Sequence, residues 1–225
     1  QNKVIGAEAL LRWHHPKRGR LGPETFIPVI EESDQSGDLT VWLIETVAAE
    51  LRQLPVQKDA IKLSINISSA ILTKPELAQQ GNDALLKVEA PDHRICLEIT
   101  ETSLMTDIDN TLPLLLQWKA AGYSIWIDDF GTGYSSLSYL KRFPIDTLKI
   151  DRAFITDIKI DHEDATLVKA IIAMGHGLGR DIIAEGVELQ EQLEFLGANA
   201  CDAIQGFLFS KPLPANEIEP LLPKQ

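Results

Sequence analysis

Seven short apolar runs alternate along the chain with longer segments of helical periodicity, and this alternation constrains the fold more than any other feature. Such an order is typical of a parallel sheet whose strands are connected by crossover helices, so it predicts an α/β fold. The strand candidates are Val4–Leu10, Ile61–Ile67, Arg94–Thr100, Ile125–Ile127, Thr147–Ile150, Asp181–Ala184 and Ala200–Ile204. The helix candidates are Thr25–Glu32, Asp38–Leu54, Pro75–Val88, Asp109–Ala121, His162–Leu178, Leu189–Leu196 and Asn216–Leu222. We interpret His14–Gly22 as a polar loop.

A closed TIM-type (β/α)8 barrel and an open doubly wound sheet both fit this alternation. A doubly wound sheet binds its ligand at one switch point, whereas a barrel collects residues from the carboxyl ends of many strands. Nearly every strand candidate ends near a charged or amide residue, which favours the barrel. The seven candidates leave it one strand short. We therefore expect a TIM-type barrel that is one strand short at the N-terminus.

Asp128 and Asp129 follow the apolar run Ile125–Ile127 and precede Gly131 and Gly133. Neighbouring strand residues point to opposite faces, so both carboxylates can serve one site only if the chain begins to turn between them. Taken alone, this stretch is explained equally well by ordinary turn chemistry, in which Asp and Gly dominate. A cation between the two groups would offset their repulsion.

Polar side chains at the ends of the strand candidates form the predicted functional constellation. They are Glu8, Asn66, Glu98, Asp128, Asp129, Lys149, Asp151, Glu185, Glu188 and Gln205. Each one alone is more easily explained as a rim ion pair, a turn former or a helix start. Together, several carboxylates in one barrel mouth require compensating positive charge, and oxygen-only ligands favour Mg²⁺ or Mn²⁺ over zinc. Two such ions would polarise a phosphoryl group and activate a water, so the residues predict a metal-dependent hydrolase.

The charge balance restricts the partners that the chain can bind. Its 33 acidic residues against 21 basic ones give a net charge of −12, which disfavours duplex nucleic acid and anionic membranes. We find no apolar run of roughly 18 residues and no signal peptide, and we expect a soluble piece of a larger protein. Cys96 and Cys201 lie far apart in apolar stretches, so we expect free thiols in a reducing compartment.

Glu8-Ala9-Leu10, followed by Leu-Arg-Trp, resembles the signature of the EAL family of cyclic di-GMP phosphodiesterases. The resemblance continues in order over essentially the whole chain. Domains of this family ordinarily begin with a further helix and strand, so the resemblance implies a TIM-type barrel that lacks its first strand and helix at the N-terminus, which would affect stability and closure more than the site. Further matches are Asn66 in Ser-Ile-Asn-Ile-Ser, Glu98 and Glu101 in Glu-Ile-Thr-Glu-Thr, Asp128–Ser136, Lys149 in Leu-Lys-Ile-Asp, Glu185–Glu188 in Ala-Glu-Gly-Val-Glu, and Gln205 in Gln-Gly-Phe-Leu-Phe-Ser.

The resemblance implies a role for each matched residue. One ion would be held by Glu8, Asn66, Glu98 and Asp128, and the second would be held or flanked by Asp128, Asp129 and Glu185. Lys149 would orient or activate the attacking water, and further catalytic roles are implied for Glu188, Asp129 and Glu8. Substrate contacts are implied for Leu10, Arg12, Asp151 and Gln205. A regulatory loop that links metal binding to dimerisation would contain Gly131, Thr132, Gly133, Tyr134 and Ser135, with Glu101 bracing it.

The implied reaction is hydrolysis of cyclic di-GMP to linear pGpG by in-line attack of a metal-activated water. Two Mg²⁺ or Mn²⁺ ions would be required and Ca²⁺ would inhibit. We expect residues 1–225 to be a single EAL domain of a homodimeric signalling protein, with sensory or cyclase domains elsewhere in the full chain. The expected location is cytoplasmic, with any tether to the inner membrane outside this domain.

Two alternatives stay open. A non-catalytic cyclic di-GMP receptor would usually have lost metal ligands or the loop motif, and none is lost here. An unrelated metal-dependent barrel enzyme, for example one acting on enolisable acids, follows if the resemblance is set aside.

Overall fold

The structure, a computed structural model, describes residues 3–33, 35–53, 61–88, 94–133, 137–158 and 161–222. The chain divides into two compact units, which we describe separately. Unit 1 comprises Gln1–Glu98, Asp107–Ser124 and Pro214–Gln225, and unit 2 comprises Ile99–Thr106 and Ile125–Leu213.

Parallel strand pairs dominate both units, and all seven predicted strands are present. Strands β1 to β9 are Gly6–Ala9, Trp13–His15, Gly19–Leu21, Lys62–Asn66, Ile95–Thr100, Ser124–Phe130, Thr147–Ile150, Asp181–Ala184 and Ala203–Ile204. In unit 1, β4 pairs with β1 and with the first residues of β5. In unit 2, β6, β7, β8 and β9 pair in that order. The predicted α/β class is confirmed.

Helices connect the parallel strands, as the periodicity predicts. Helices α1 to α10 are Pro23–Glu31, Ser36–Gln53, Ser69–Thr73, Pro75–Lys87, Glu101–Thr106, Ile108–Ala120, Leu137–Leu140, Arg152–Thr156, His162–Gly177 and Gln190–Ala198. Six of the predicted helices correspond to members of this set, with each end within two residues of its predicted position. The remaining four helices are short and follow strand ends or loops, where periodicity gives little signal.

Two local predictions are wrong. The predicted helix Asn216–Leu222 is replaced by two 3-10 turns, Ala215–Glu217 and Glu219–Leu221. Pro220 explains the break, because proline has no N–H to donate and its ring clashes with the preceding helical turn. The predicted loop His14–Gly22 contains most of a hairpin, in which β2 pairs with β3 in antiparallel register. Its strands carry polar residues on both sides of the pleat and therefore lack the apolar alternation on which strand prediction depends.

Acidic side chains align the amino ends of the strands in unit 2. Asp146 Oδ2 accepts a hydrogen bond from the N–H of Ile125 at 2.8 Å. Asp202 Oδ2 accepts one from the N–H of Ile182 at 2.8 Å. Strand β7 lies between β6 and β8, and all four of its residues are buried. The carboxyl ends of these parallel strands therefore meet at one edge, where their following residues can act together.

A tyrosine ties helix α4 to the chain before β6 within unit 1. Tyr123 Oη donates to the carbonyl of Leu85 at 2.5 Å and lies 3.3 Å from that of Val88. Burial raises the pKa of Tyr123 to about 12, so the hydroxyl stays protonated as a donor.

Cys96 is buried and Cys201 is half-buried, and neither forms a disulfide, as predicted. Burial raises the pKa of the Cys201 thiol to about 11. Among the described helices, none is both long and apolar enough to cross a membrane.

Candidate active site

A bulge at the end of β6 places two adjacent carboxylates at the same point of unit 2. Ile127 pairs with Leu148 and Phe130 pairs with Ile150, so Asp128 and Asp129 together lie opposite one residue of β7. Asp129 has a φ of 53°, a left-handed conformation that non-glycine residues adopt at some energetic cost. The extra residue interrupts the alternation of side chains, which provides the turn that the sequence requires between the two aspartates.

Lys149, the residue opposite the bulge, joins carboxylates from two neighbouring strands. Its Nζ lies 3.2 Å from Asp128 Oδ1 and 2.7 Å from Glu185 Oε1. The lysine side chain is fully buried, whereas 12% of the Asp128 side chain and 17% of the Glu185 side chain are exposed. A buried ammonium is stable only when it is paired, and these contacts supply the pairing.

Three carboxylates of this group are close enough to share a cation. Oxygens of Asp128, Asp129 and Glu185 all lie within 4.8 Å of one another. Burial is the main cause that raises the pKa of Asp129 to about 6, followed by the charge of Asp128 and by a hydrogen bond with Asp151. These carboxylates outnumber the single ammonium of Lys149, so the group carries excess negative charge when it is ionised. A bound cation would remove that excess and favour the ionised forms.

The donor chemistry of this group fits a hard divalent cation. All three candidate ligands offer carboxylate oxygen, and none offers sulfur or imidazole. Mg²⁺ and Mn²⁺ prefer such oxygen ligands, whereas zinc sites in proteins use mainly His and Cys. Asp128, Asp129 and Glu185, which the sequence predicts as ligands, are therefore brought together in an arrangement that suits the predicted metal.

Unit 1 contains a second group of predicted ligands, on β1, β4 and β5. Asn66 Nδ2 donates a hydrogen bond to Glu8 Oε1 at 2.7 Å. Asn66 is in register with Glu98, and Glu8 is in register with Ser64, two residues before Asn66. Register partners share a face and side chains repeat every two residues, so Glu8, Asn66 and Glu98 lie on the same face. Glu98 is only 1% exposed, while Glu8 is half-buried.

The predicted substrate contacts Leu10 and Arg12 lie between β1 and β2 in unit 1. Leu10 is exposed, and the half-buried Arg12 donates from Nη1 to the carbonyl of Leu11 at 2.6 Å. The predicted contact Asp151 directly follows β7 in unit 2. It caps helix α8 by accepting from the N–H of Ala153 at 2.8 Å.

Backbone hydrogen bonds hold the segment that carries Glu185 and Glu188. The N–H of Glu185 donates to the carbonyl of Ile150, the last residue of β7, at 3.1 Å. The backbone of Gln205 donates to Ala184 at 2.8 Å and accepts from Val187 at 3.0 Å. Glu188 is exposed and Gln205 is half-buried. Both therefore lie beside the strand ends that carry Lys149 and Glu185.

Gln192, which the sequence analysis missed, anchors the same segment through both ends of its side chain. Its Oε1 accepts from the N–H groups of Glu188 and Leu189 at 2.8 and 2.9 Å. Its Nε2 donates to the carbonyls of Ile155 and Thr156 at 3.0 and 3.2 Å. The side chain is almost completely buried. Its position at the third residue of α10 was the available signal, because glutamine there often bonds back to the start of the helix.

Glu101 contacts the start of the predicted regulatory loop within unit 2. Its Oε2 accepts a hydrogen bond from the N–H of Gly131 at 2.8 Å, and Glu101 itself is buried. Gly131 has a φ of 102°, which other residues rarely adopt, and Thr132 Oγ1 donates to the carbonyl of Asp129 at 2.8 Å. A side chain at Gly133 would contact Glu101. Tyr134 and Ser135, also predicted for this loop, lie outside the described residues.

Comparison with known proteins identifies the same family over nearly all of the sequence. The family model for the EAL domain matches residues 1–212. The cyclic di-GMP phosphodiesterase NbdA of Pseudomonas aeruginosa is 42% identical over 221 residues, which cover 98% of this chain and 28% of NbdA. The bifunctional diguanylate cyclase/cyclic di-GMP phosphodiesterase MucR of the same organism is 40% identical over 216 residues, 96% of this chain and 32% of MucR. The chain thus spans about a third or less of these relatives.

Solved structures agree with the sequence matches. The c-di-GMP complex of the PaMucR phosphodiesterase superposes with a TM-score of 0.88 at 40% identity, over 95% of this chain and 87% of that one. The manganese/cy-diGMP complex of Klebsiella pneumoniae BlrP1 gives a TM-score of 0.77 at 31% identity, over 92% of this chain and 51% of that one. These matches confirm the predicted EAL-type fold class.

Proposed function

The chain belongs to the EAL domain family, and on that premise we propose that it hydrolyses cyclic di-GMP to linear pGpG in a reaction that requires divalent cations. Relatives at 40% identity or more are named as cyclic di-GMP phosphodiesterases, and this proposal transfers that activity to the present chain. A metal-independent receptor of the same nucleotide is the alternative that the experiment below distinguishes.

One observation carries the proposal: Lys149 lies in contact with Asp128 and Glu185, and both of these carboxylates lie within 4.8 Å of Asp129. A domain that only binds a nucleotide has no need for a buried lysine that is surrounded by carboxylates. Such groups are costly to bury, and perturbed charges of this kind are concentrated at sites where they serve a reaction.

We assign the divalent cations to the residues that the sequence predicts as ligands. These are Glu8, Asn66 and Glu98 in unit 1 and Asp128, Asp129 and Glu185 in unit 2. When bound, Mg²⁺ or Mn²⁺ supplies Lewis acidity toward the phosphoryl oxygens and lowers the pKa of a water. The manganese in the BlrP1 complex supports this choice of ion, and Ca²⁺ is expected to inhibit because it adopts looser coordination.

The side chains of this protein contribute orientation and proton handling. Lys149 Nζ is held by two carboxylates, so its N–H groups point in fixed directions and can orient the attacking water. Asp129 and Glu188 are the candidate groups to accept the water's proton. Arg12 is the candidate phosphate contact, because its planar guanidinium can form paired hydrogen bonds with phosphate oxygens. Leu10, Asp151 and Gln205 are proposed as further substrate contacts.

The wider context is also proposed from the relatives. MucR is named as bifunctional and both relatives are much longer than this chain, so we propose that the parent protein carries further sensory or cyclase domains. We further propose residues 1–225 as one EAL domain that acts as a cytoplasmic homodimer, with the loop at Gly131 and its partner Glu101 linking metal binding to dimerisation.

Incubation of the purified chain with cyclic di-GMP, followed by chromatography of the nucleotides, tests the proposal. We expect pGpG with Mg²⁺ or Mn²⁺, and intact cyclic di-GMP with Ca²⁺ or with EDTA. Recovery of intact, protein-bound nucleotide under all four conditions would establish the receptor instead. A failure to bind the nucleotide at all would exclude both functions.

A further inference from the structure

The hairpin formed by β2 and β3 concentrates positive charge in a strongly acidic chain. Between Glu8 and Glu24 the sequence contains four basic residues and no acidic one, although the chain as a whole carries a net charge of −12. The four residues are Arg12, Lys17, Arg18 and Arg20. Lys17, Arg18 and Arg20 are exposed, and none of the three forms a salt bridge with any residue that the structure describes.

Local contacts hold this hairpin in a defined conformation. Trp13 packs edge-on against Phe26 of helix α1, with ring centroids 5.9 Å apart, and against His15 at 4.8 Å. His15 Nδ1 accepts hydrogen bonds from the N–H groups of Lys17 and Arg18 at 3.1 and 3.2 Å, which fixes the turn. The basic side chains are therefore presented from a fixed backbone, at little conformational cost.

The hairpin follows directly from the strand that carries Glu8. Only three residues separate the end of β1 from the start of β2, so the base of the hairpin lies within about 14 Å of the end of β1. Electrostatic screening acts over about 8 Å at 0.15 M salt and about 30 Å at 0.01 M. Arg20 lies opposite His14 beside this base, whereas Lys17 and Arg18 lie in the turn at the far end of the hairpin. At these distances the three charges act at the carboxyl end of β1 at low salt and are largely screened at high salt.

We propose that the β2–β3 hairpin captures the anionic dinucleotide from solution and raises its rate of association with the site. This inference rests on the proposed function, since it takes cyclic di-GMP, a dianion, as the ligand. A small anion suits the observations better than an extended polyanion, because a nucleic acid or membrane that reached the hairpin would also face the acidic remainder of the chain. Steering by a local field commonly changes association rates 10-fold or more and leaves dissociation unaffected.

The test compares two variants with the same change in net charge. The hairpin variant replaces Lys17, Arg18 and Arg20 with glutamine. The control variant also introduces three glutamines, at the exposed residues Arg52 in α2, Lys74 just before α4 and Lys87 in α4. Stopped-flow fluorescence measures association of a methylanthraniloyl derivative of cyclic di-GMP in Ca²⁺, which is expected to prevent turnover. Far-ultraviolet circular dichroism verifies folding.

At 10 mM ionic strength we expect the hairpin variant to associate about 10-fold more slowly than the wild type, and the control variant less than 2-fold more slowly. At 300 mM the difference should nearly disappear, with the dissociation rate unchanged throughout. Equal association rates for the hairpin variant and the wild type would overturn the inference, as would an equal loss in the control. A different result would overturn the proposed function alone: a wild type that associates with the nucleotide but yields no pGpG in Mg²⁺. Absence of any association overturns both.

Discussion

Lys149 Nζ lies 2.7 Å from Glu185 Oε1, and this contact joins the end of β7 to the residue that follows β8. The same ammonium lies 3.2 Å from Oδ1 of Asp128, which is part of the bulge in β6. One buried lysine therefore fixes carboxylates from its two neighbouring strands.

Replacement of Asp128 by asparagine should abolish turnover. The substitution preserves the shape of the side chain but removes its charge, and a metal ligand is expected to contribute more than the 10- to 100-fold effects typical of the residues that support ligands. The rate of pGpG formation in saturating Mg²⁺ measures the effect. Asp181→Asn is the matched control and should retain activity, because Asp181 is the first residue of β8 and Glu185 follows the other end of that strand. Hydrolysis by Asp128→Asn at near wild-type rate would refute the assignment.

Replacement of Lys149 by methionine should destabilise the metal-free protein and abolish turnover. Loss of one partner from a buried charged group costs about 3–5 kcal/mol, because the remaining carboxylates lose their compensation. Urea unfolding in EDTA measures this change in free energy. Added Mg²⁺ should stabilise the variant more than the wild type, since a cation can replace the missing charge. Lys141→Met, at an exposed position of unit 2, should have little effect. Unchanged stability of Lys149→Met in EDTA would contradict the electrostatic role.

Replacement of Glu101 by alanine should raise the Mg²⁺ concentration needed for half-maximal activity. The carboxylate accepts from the N–H of Gly131, two residues after Asp129, so its loss should loosen the backbone beside the candidate ligands. Glu101→Gln keeps an acceptor oxygen and should lie between the wild type and the alanine variant. A titration of activity against Mg²⁺ distinguishes the three proteins. Identical titration curves would show that this hydrogen bond does not support the metal site.

Replacement of Gln192 by methionine should lower both stability and kcat. The variant keeps the side-chain volume but removes the hydrogen bonds that Gln192 forms with four backbone groups, at a cost of about 1–3 kcal/mol. A small displacement of Glu188 should reduce kcat about 10-fold or more. Gln190→Met, on the exposed part of the same helix, is the control. A loss of stability with unchanged kcat would limit Gln192 to a structural role.

Much of the fold could be predicted from the sequence, because buried parallel strands leave continuous apolar runs such as Ile125–Ile127. The hairpin could not, since β2 and β3 lack that pattern. The helix predicted for Asn216–Leu222 failed because one proline outweighed its periodicity. For the candidate site, strand ends indicated Asp128, Asp129 and Glu185, whose carboxylates lie close together in the structure. The bulge at Asp128 and Asp129 depends on how β6 pairs with β7, so it could not be derived from local sequence. The hydrogen bond from Gln192 to the distant Ile155 could not be derived from local sequence either.

Binding of Mn²⁺ to the metal-free protein tests most directly whether the acidic residues form a divalent metal centre. The electron paramagnetic resonance signal of free Mn²⁺ disappears when the ion binds, so a titration gives the number of ions bound per chain. We expect about two ions per chain for the wild type and for Asp181→Asn, and a clear loss for Asp128→Asn. A wild-type protein that takes up no Mn²⁺, or an Asp128→Asn variant that binds as much as the wild type, would contradict the account.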